Sequence, residues 1–391
     1  MIDFSLSEEQ RAIQSWVRTF VERELMPLEN EALRREREGH PPGLTHEEKA
    51  RLRALARRSD FWGVGTPEEY GGMGLDAVTE ALIETELGRT FLTFKFGGEA
   101  DNILFHANEE QKRAYLLPTI EGERRSCFAI TEPGAGSDAK AIRTRAVRDG
   151  DEWVINGEKT FITGGEEADF ALVFAVTDPE RGANGGVTCF LVDRDMGWTS
   201  EPIDTMGERR PASLVFQDVR VPHENILGEE GKGFALAMKW IGRGRYLLPA
   251  RALGGCERLL DMGIVYAKTR ETFGAPIADR QAIQWMIADS QTEIEALRLL
   301  VLHAAWQVSQ GVDSRHAQSI AKLFGGVKAN EIVDRVMQIH GGMGYTRELP
   351  VERFYRDLRL LRIFEGTDEI QRRTIARDLL KGHVKVGATL R

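Results

Sequence analysis

The chain has 391 residues, and 52 Lys and Arg against 61 Asp and Glu leave a formal net charge of −9. With 42% hydrophobic and 29% charged residues it carries the apolar content of a folded protein, which excludes a chain disordered for want of a core. The acidic balance argues against a general nucleic-acid binder, which needs a cationic face for phosphate. The length gives room for two or three domains at roughly 100–200 residues each.

No apolar run reaches the ~18–20 residues of a bilayer span. The Met1–Ser5 start has no basic region ahead of an apolar core, so no secretory signal is read. Cys127, Cys189 and Cys256 are widely spaced and odd in number, which suits neither a disulfide framework nor a zinc site. The expectation is a cytoplasmic protein with no metal and no membrane. Glycine is in excess, with 40 residues. Glycine serves where backbone turns sharply or approaches a ligand closely.

In chain order, Ile13, Trp16, Val17, Phe20, Val21 and Leu25 recur at helical spacing. Ser7 and Gln10 are spaced as a capping box, and Pro27 is the expected end of that helix. Residues 30–58 read as a charged, solvated helical face with a loop at Pro41-Pro42-Gly43. Tyr70-Gly71-Gly72-Met73-Gly74 is a break, and helices are expected at 76–89 and 109–118. Near residue 125 the pattern changes. Asn156-Gly157 between Trp153-Val154-Ile155 and Thr160-Phe161-Ile162-Thr163 predicts a hairpin with a type I′ turn. Strand runs follow at 170–176, 187–192, 214–216 and 219–221, so the block reads as a small all-β sandwich or barrel. From residue 232 the helical period returns, with long runs at 252–268, 280–311, 314–339 and 369–380 that imply an antiparallel bundle. The fold class is α+β multidomain: an N-terminal helical domain (1–124), a middle β-barrel or sandwich domain (125–231) and a C-terminal four-helix bundle (232–391).

Four segments can carry chemistry. Residues 130–138, Ile-Thr-Glu-Pro-Gly-Ala-Gly-Ser-Asp, form either a plain turn or a loop whose amides face a ligand. They are neither a Walker loop nor a dinucleotide fingerprint. Arg270-Glu271-Thr272-Phe273-Gly274 offers an arginine for a pyrophosphate, or a helix end at Gly274. Gln338-Ile339-His340-Gly341-Gly342-Met343-Gly344 permits close backbone approach, with His340 read as packed or capping. Glu365, before Gly366 at a helix start, is a surface carboxylate or, if desolvated, a general base.

Together, and in this order, these segments resemble the acyl-CoA dehydrogenase family. The likeness runs from Leu6-Ser7-Glu8-Glu9-Gln10 through Pro67-Glu68-Glu69-Tyr70-Gly71-Gly72 to Gly366-Thr367, nearly the whole chain. The resemblance implies the three-domain fold, FAD as cofactor, a homotetramer or homodimer, and α,β-dehydrogenation of an acyl-CoA. In that reaction a base removes the α-proton while the β-hydrogen leaves as hydride to the flavin. Phe128, Ile130, Thr131, Gly136 and Ser137 would line the flavin, with Phe161, Ile162 and Thr163 continuing the wall. Arg270, Thr272, Phe273, Gln281, Gln338, Gly341 and Gly342 would reach the FAD of a neighbouring subunit, and Thr367 and Glu369 its nucleotide end. Glu365 stands at the family's usual catalytic glutamate. Some members place the base instead before an arginine on the first helix of the C-terminal domain, where this chain has Gly244 before Arg245. Ser137, Arg245 and Gly366 match positions near the CoA.

Two departures stand out. Phe161 replaces a common tryptophan, keeping the aromatic face but losing an N–H donor. The stretch 206–213 carries Pro211 and lacks a medium-chain type loop, near where CoA would enter. The expected electron acceptor is an electron-transferring flavoprotein. Rivals on the same fold are an oxidase, an enoyl-CoA reductase, and a flavin-binding module without catalysis, against which the retained Glu365 speaks. The acyl pocket wall is expected along 87–104, where Phe91, Phe94 and Phe96 are bulky.

Overall fold

The computed structural model describes residues 5–208 and 210–387. In chain order the first helices are α1 (Glu8–Phe20), α2 (Glu29–Arg37), α3 (His46–Arg58), α4 (Ala77–Leu87), α5 (Glu109–Gln111) and α6 (Leu117–Glu121). A β region follows with β1 (Ser126–Ala129), β2 (Arg145–Asp149), β3 (Glu152–Ile162), β4 (Phe170–Val176), β5 (Val187–Asp193), β6 (Thr199–Pro202) and β7 (Ala212–Pro222). The chain then returns to helix in α7 (Gly233–Thr269), the small hairpin β8 (Glu271–Thr272) and β9 (Ala275–Pro276), α8 (Gln281–Ser309), α9 (Arg315–His340), α10 (Val351–Arg359) and α11 (Asp368–Leu380). The order helical, β, helical matches the reading from periodicity. By contacts the chain forms two compact units: Met1–Leu55, Leu75–Lys95 and Arg243–Arg391 in one, Ala56–Gly74 and Phe96–Gly242 in the other.

In the first unit the capping box of α1 is closed in both directions. Ser7 Oγ accepts from the Gln10 N–H at 3.0 Å, and Gln10 Oε1 accepts from the Ser7 N–H at 3.1 Å. Pro27 does not end the helical path. The chain passes through a π turn (Val21–Leu25) and a 3-10 turn (Met26–Leu28) into α2. Pro27 stands in the first turn of that segment, where its missing N–H has no helical partner to lose. The charged stretch after residue 29 is not wholly solvated either. Arg353, 1% exposed, holds Glu36 at 2.7 Å and Asp357 at 2.9 Å. Glu29 is buried between Arg258, at 2.5 and 2.6 Å, and the Thr90 hydroxyl. A run of arginines and glutamates has the same composition whether it faces water or clamps distant helices. The bundle packs α8, α10 and α11 against α9, whose inner face carries Ala321, Ala329, Ile332, Val333 and Val336.

The second unit is built on one curled seven-stranded sheet, in order β1-β4-β2-β3-β7-β6 with β5 on β4. Strands β4 and β5 are buried on both faces, which is why they read as unbroken apolar runs rather than alternating ones. Phe170, Leu172 and Phe174 point into a core shared with Ile103, Leu104, Leu116 and Ile120. Ala171, Val173 and Ala175 point into the curl of the sheet with Trp153, Phe190 and Phe216.

The expected turn at Asn156-Gly157 is not a turn. Both residues lie inside β3, at a bulge against β7, and the tight connection between β2 and β3 falls at Gly150-Asp151. The Asn156 amide exchanges hydrogen bonds with Asp218, at 3.0 and 2.9 Å, across the bulge. A Cβ on Gly157 would stand 2.4 Å from Thr144 Oγ1, so glycine is needed here for closeness. The separate runs at 214–216 and 219–221 are correspondingly one strand, β7, with Asp218 in the left-handed region at the bulge.

Candidate functional site

In the β unit, the loop after β1 is fixed by a buried ion pair that the sequence did not announce. Glu132 and Ala135 bond each other's backbone, closing a tight turn around Pro133-Gly134. The Glu132 carboxylate accepts the N–H groups of Arg143 and Thr144 at 2.6 and 2.9 Å and the ammonium of Lys159 at 2.7 Å. Lys159 is 0% exposed and also donates to the carbonyls of Ile130 and Phe174. Burial pushes Lys159 down to about 8, although Glu132 opposes the shift. Burial pulls Glu132 upward, but the Lys159 charge and the N–H donors outweigh it and hold the carboxyl below its ordinary range. The Thr160 N–H bonds the Thr131 carbonyl at 2.8 Å, which ties the loop to β3.

The result is a rigid loop with an open outer face. A Cβ on Gly134 or Gly136 would meet nothing within 4 Å, and Ser137 is exposed. Phe161 is 63% exposed and adopts a left-handed φ of 58°. By contrast the side chains of Ile130 and Ile162 are buried in core, and the Ile130 carbonyl turns inward to Lys159. Phe128 stacks on Trp240 with centroids 4.0 Å apart.

In the helical unit, Glu365 and Gly366 take consecutive left-handed conformations, φ 54° and 88°, between the 3-10 turn Leu360–Arg362 and α11. Thr367 caps α11, accepting from the Ile370 N–H at 3.3 Å. Gln371, fully buried, donates to the carbonyls of both Glu365 and Gly366 at 3.1 Å. Lys322 of α9 donates to the Gly366 carbonyl at 2.6 Å. Glu365 is thereby turned toward α7. Its carboxyl carbon lies 3.2 Å from where a Cβ of Gly244 would be. Burial depresses Arg245, the Glu365 charge opposes that shift, and Arg245 Nε is buried without a hydrogen-bond partner.

The remaining predicted residues of this unit are exposed or half-buried. The segment 270–274 is not a helix end but the β8–β9 hairpin. Phe273 and Gly274, at φ 50° and 77°, form its two-residue turn, which leaves Phe273 99% exposed. Arg270, Gln281, Gln338, Gly341, Gly342 and Glu369 are exposed, and Thr272 is half-buried. His340 is packed: it is buried, lies tilted against the Tyr266 ring and bonds the Val336 carbonyl. Of the expected pocket phenylalanines, Phe91 packs on Phe354, Phe94 on Phe20 and Phe96 on Phe61, and all three are buried. Arg209, within the stretch 206–213, lies outside the described residues. Among the described residues no helix is long and apolar enough to cross a membrane.

A three-part helix–sheet–helix chain with a glutamate clamped beside a bare helix backbone defines a class, and similarity to known proteins agrees with it. The acyl-CoA dehydrogenase N-terminal domain matches residues 7–123, the middle domain 127–219 and the C-terminal domain 231–380. The chain is 38% identical over 385 residues to 3-(aryl)acrylate reductase of Clostridium sporogenes, covering 96% of this chain and 99% of that protein. It is 37% identical over 388 residues to the mitochondrial short-chain specific acyl-CoA dehydrogenase of Mus musculus, covering 97% and 92%. Its fold superposes on butyryl-CoA dehydrogenase from Megasphaera elsdenii with a TM-score of 0.85 at 34% identity, covering 97% and 100%. The chain belongs to the acyl-CoA dehydrogenase family, which is a family of FAD-dependent oxidoreductases.

Proposed function

We propose that the chain is an acyl-CoA dehydrogenase that converts an acyl-CoA thioester to its trans-2-enoyl-CoA, with Glu365 as the base. The observation that carries this reading is the Glu365 carboxyl, held in a left-handed turn against bare backbone at Gly244. A thioester α-proton is too weakly acidic for a carboxylate acting alone, so the enolate developing at the carbonyl needs donors. By the family resemblance the Glu365 N–H is one such donor, and the turn that aims the carboxyl carries the same residue's N–H. The α-proton passes to Glu365. Arg245, Gly366 and Ser137 would serve the CoA end.

Bound FAD would supply the acceptor for the β-hydrogen, which leaves as hydride. The open outer face of the 130–138 loop fits such a group, since a Cβ at Gly134 or Gly136 would meet nothing within 4 Å. Thr131, Gly136 and Ser137, the backbone of Ile130, Ile162 and Thr163, and the rings of Phe128 and Phe161 would hold it. The fully exposed Phe273 supports assignment of Arg270, Thr272, Phe273, Gln281, Gln338, Gly341 and Gly342 to the FAD of a neighbouring protomer in a homotetramer or dimer. Thr367 and Glu369 would meet its nucleotide end. We further propose domain limits of 1–124, 125–231 and 232–391, and an electron-transferring flavoprotein as acceptor.

The similarity to a reductase favours a second reading, the same chemistry run backward, in which Glu365 gives its proton to the α-carbon of an enoyl-CoA. One experiment separates them. Under anaerobic conditions, saturated acyl-CoAs from short to long and branched are mixed with oxidised holoenzyme, and 2-enoyl-CoAs with dithionite-reduced holoenzyme. Dehydrogenation requires bleaching by at least one saturated ester. Reoxidation by an enoyl ester without any bleaching assigns the reductase direction, and no response to either set contradicts both.

A further inference from the structure

We propose that Lys322 is a positioning residue for the base: its ammonium holds the Glu365–Gly366 turn and keeps the Glu365 carboxyl in its ionised, proton-accepting form. This rests on Glu365 being the base. Lys322 is 2% exposed, in the N-terminal third of α9 among the buried Ala321, Gly325, Gly326 and Ala329, and it does not reach water. Its Nζ lies 2.6 Å from the Gly366 carbonyl oxygen. That carbonyl also accepts from Gln371, so two side chains from two helices converge on one peptide. That peptide joins Gly366 to Thr367 and so closes the turn in which Glu365 and Gly366 both lie in the left-handed region, and the first of these is not glycine. A glutamate holds that conformation only where its surroundings impose it. Lys322 and Gln371 are the parts that impose it.

The charge acts as well as the hydrogen bond. Lys322 faces Asp368 and Glu369 of α11, Glu365 of the turn and Arg245 of α7. Asp368 is already engaged by Arg362 at 2.7 Å. Burial depresses Lys322 to about 8, against the pull of Asp368 and Glu365. At neutral pH it is therefore still a cation, and its charge is felt by the Glu365 carboxylate, whose function needs the ionised form. A neighbouring positive charge favours that form, and its removal disfavours it.

The test uses purified holoenzyme and an acyl-CoA that bleaches it. Two readouts are followed against pH: anaerobic flavin bleaching, and deuterium uptake at the α-carbon from D2O, which reports the base step apart from hydride transfer. Lys322→Met is expected to slow both about tenfold at neutral pH, as small misplacement of a reacting group does. FAD content and KM should stay within about twofold of the parent, as expected when ground-state binding is untouched. The acid limb of both profiles should move to higher pH, and Lys322→Arg should restore that limb. Should Lys322→Met fail to fold, Lys322→Gln keeps a donor without the charge and should show the same shift of the limb. An unshifted limb in both neutral variants overturns the proposal, as does a loss equal at every pH that Lys322→Arg does not repair. Glu365→Gln, run in parallel, separates the two claims. If it still exchanges the α-proton at the parent rate, the base assignment itself falls. If it is silent while the Lys322 limb is unmoved, only the positioning role falls.

Discussion

The carboxyl carbon of Glu365 stands 3.2 Å, and its Oε2 3.4 Å, from the point a Cβ on Gly244 would occupy. On the proposed assignment of the base, Glu365 fills the space that a side chain at Gly244 would otherwise take. Gly244→Ala adds a methyl at a separation tighter than ordinary van der Waals contact. The carboxyl must shift by a few tenths of an ångström, and we expect flavin bleaching to slow by roughly tenfold with FAD binding unchanged. Gly244→Glu should be worse alone. Combined with Glu365→Gly it should regain part of the bleaching that Glu365→Gly loses, measured by anaerobic stopped-flow.

Lys159→Met leaves Glu132 buried with its charge uncompensated. Breaking a buried pair from one side costs roughly 3–5 kcal/mol, and the cost falls on the loop that carries Thr131, Gly136 and Ser137. Weaker FAD retention is expected, read by equilibrium dialysis, even where the protein still folds. The sign with pH follows from Glu132, whose folded carboxyl is held below its ordinary value. Its stabilisation is present above the unfolded pKa and is lost as pH falls through the folded one. In Lys159→Met burial is opposed only by the Arg143 and Thr144 N–H donors, so loss of FAD on acidification should begin at a higher pH than in the parent.

Much of this was legible in the sequence where a pattern was local. The capping box at Ser7 and Gln10, the limits of β4 and the long helices α8 and α9 follow from spacing alone. The sequence misled where one dipeptide serves two purposes. Asn156-Gly157 has turn chemistry but is used for a bulge and for close packing on Thr144, while the I′-type turn sits at Phe273-Gly274, read as a helix end. Glu365 was found through resemblance, since a glutamate before a glycine says little by itself. Lys322, Gln371 and the Lys159–Glu132 pair were missed because their partners are backbone carbonyls or residues far along the chain. The available signal was a lysine at an inward position of β3 and another in the small-residue face of α9.

Gly157→Ala tests the bulge. A Cβ 2.4 Å from Thr144 Oγ1 and 2.7 Å from its Cα meets backbone as well as a flexible tip. Overpacking of that kind costs roughly 1–3 kcal/mol. The variant should melt lower by differential scanning calorimetry, and Asn156→Ala, which removes only the bridge to Asp218, should lose less.

Lys322 also predicts the alkaline side of the profile. A lysine depressed to about 8 is charged below that value and neutral above it. The ammonium on the Gly366 carbonyl thus loses its charge as pH rises, its hold on the turn weakens, and turnover should decline from near pH 8 upward. Lys322→Arg, which stays charged, should carry activity further into the alkaline range. An unchanged alkaline limb would assign it to another group.

The most direct measurement is single-turnover bleaching of Glu365→Gln holoenzyme by the acyl-CoA that reduces the parent fastest. FAD should be bound as in the parent and bleaching slowed by about 10²–10⁴-fold, the usual contribution of a positioned base. Bleaching at the parent rate would contradict this and move the base to another residue.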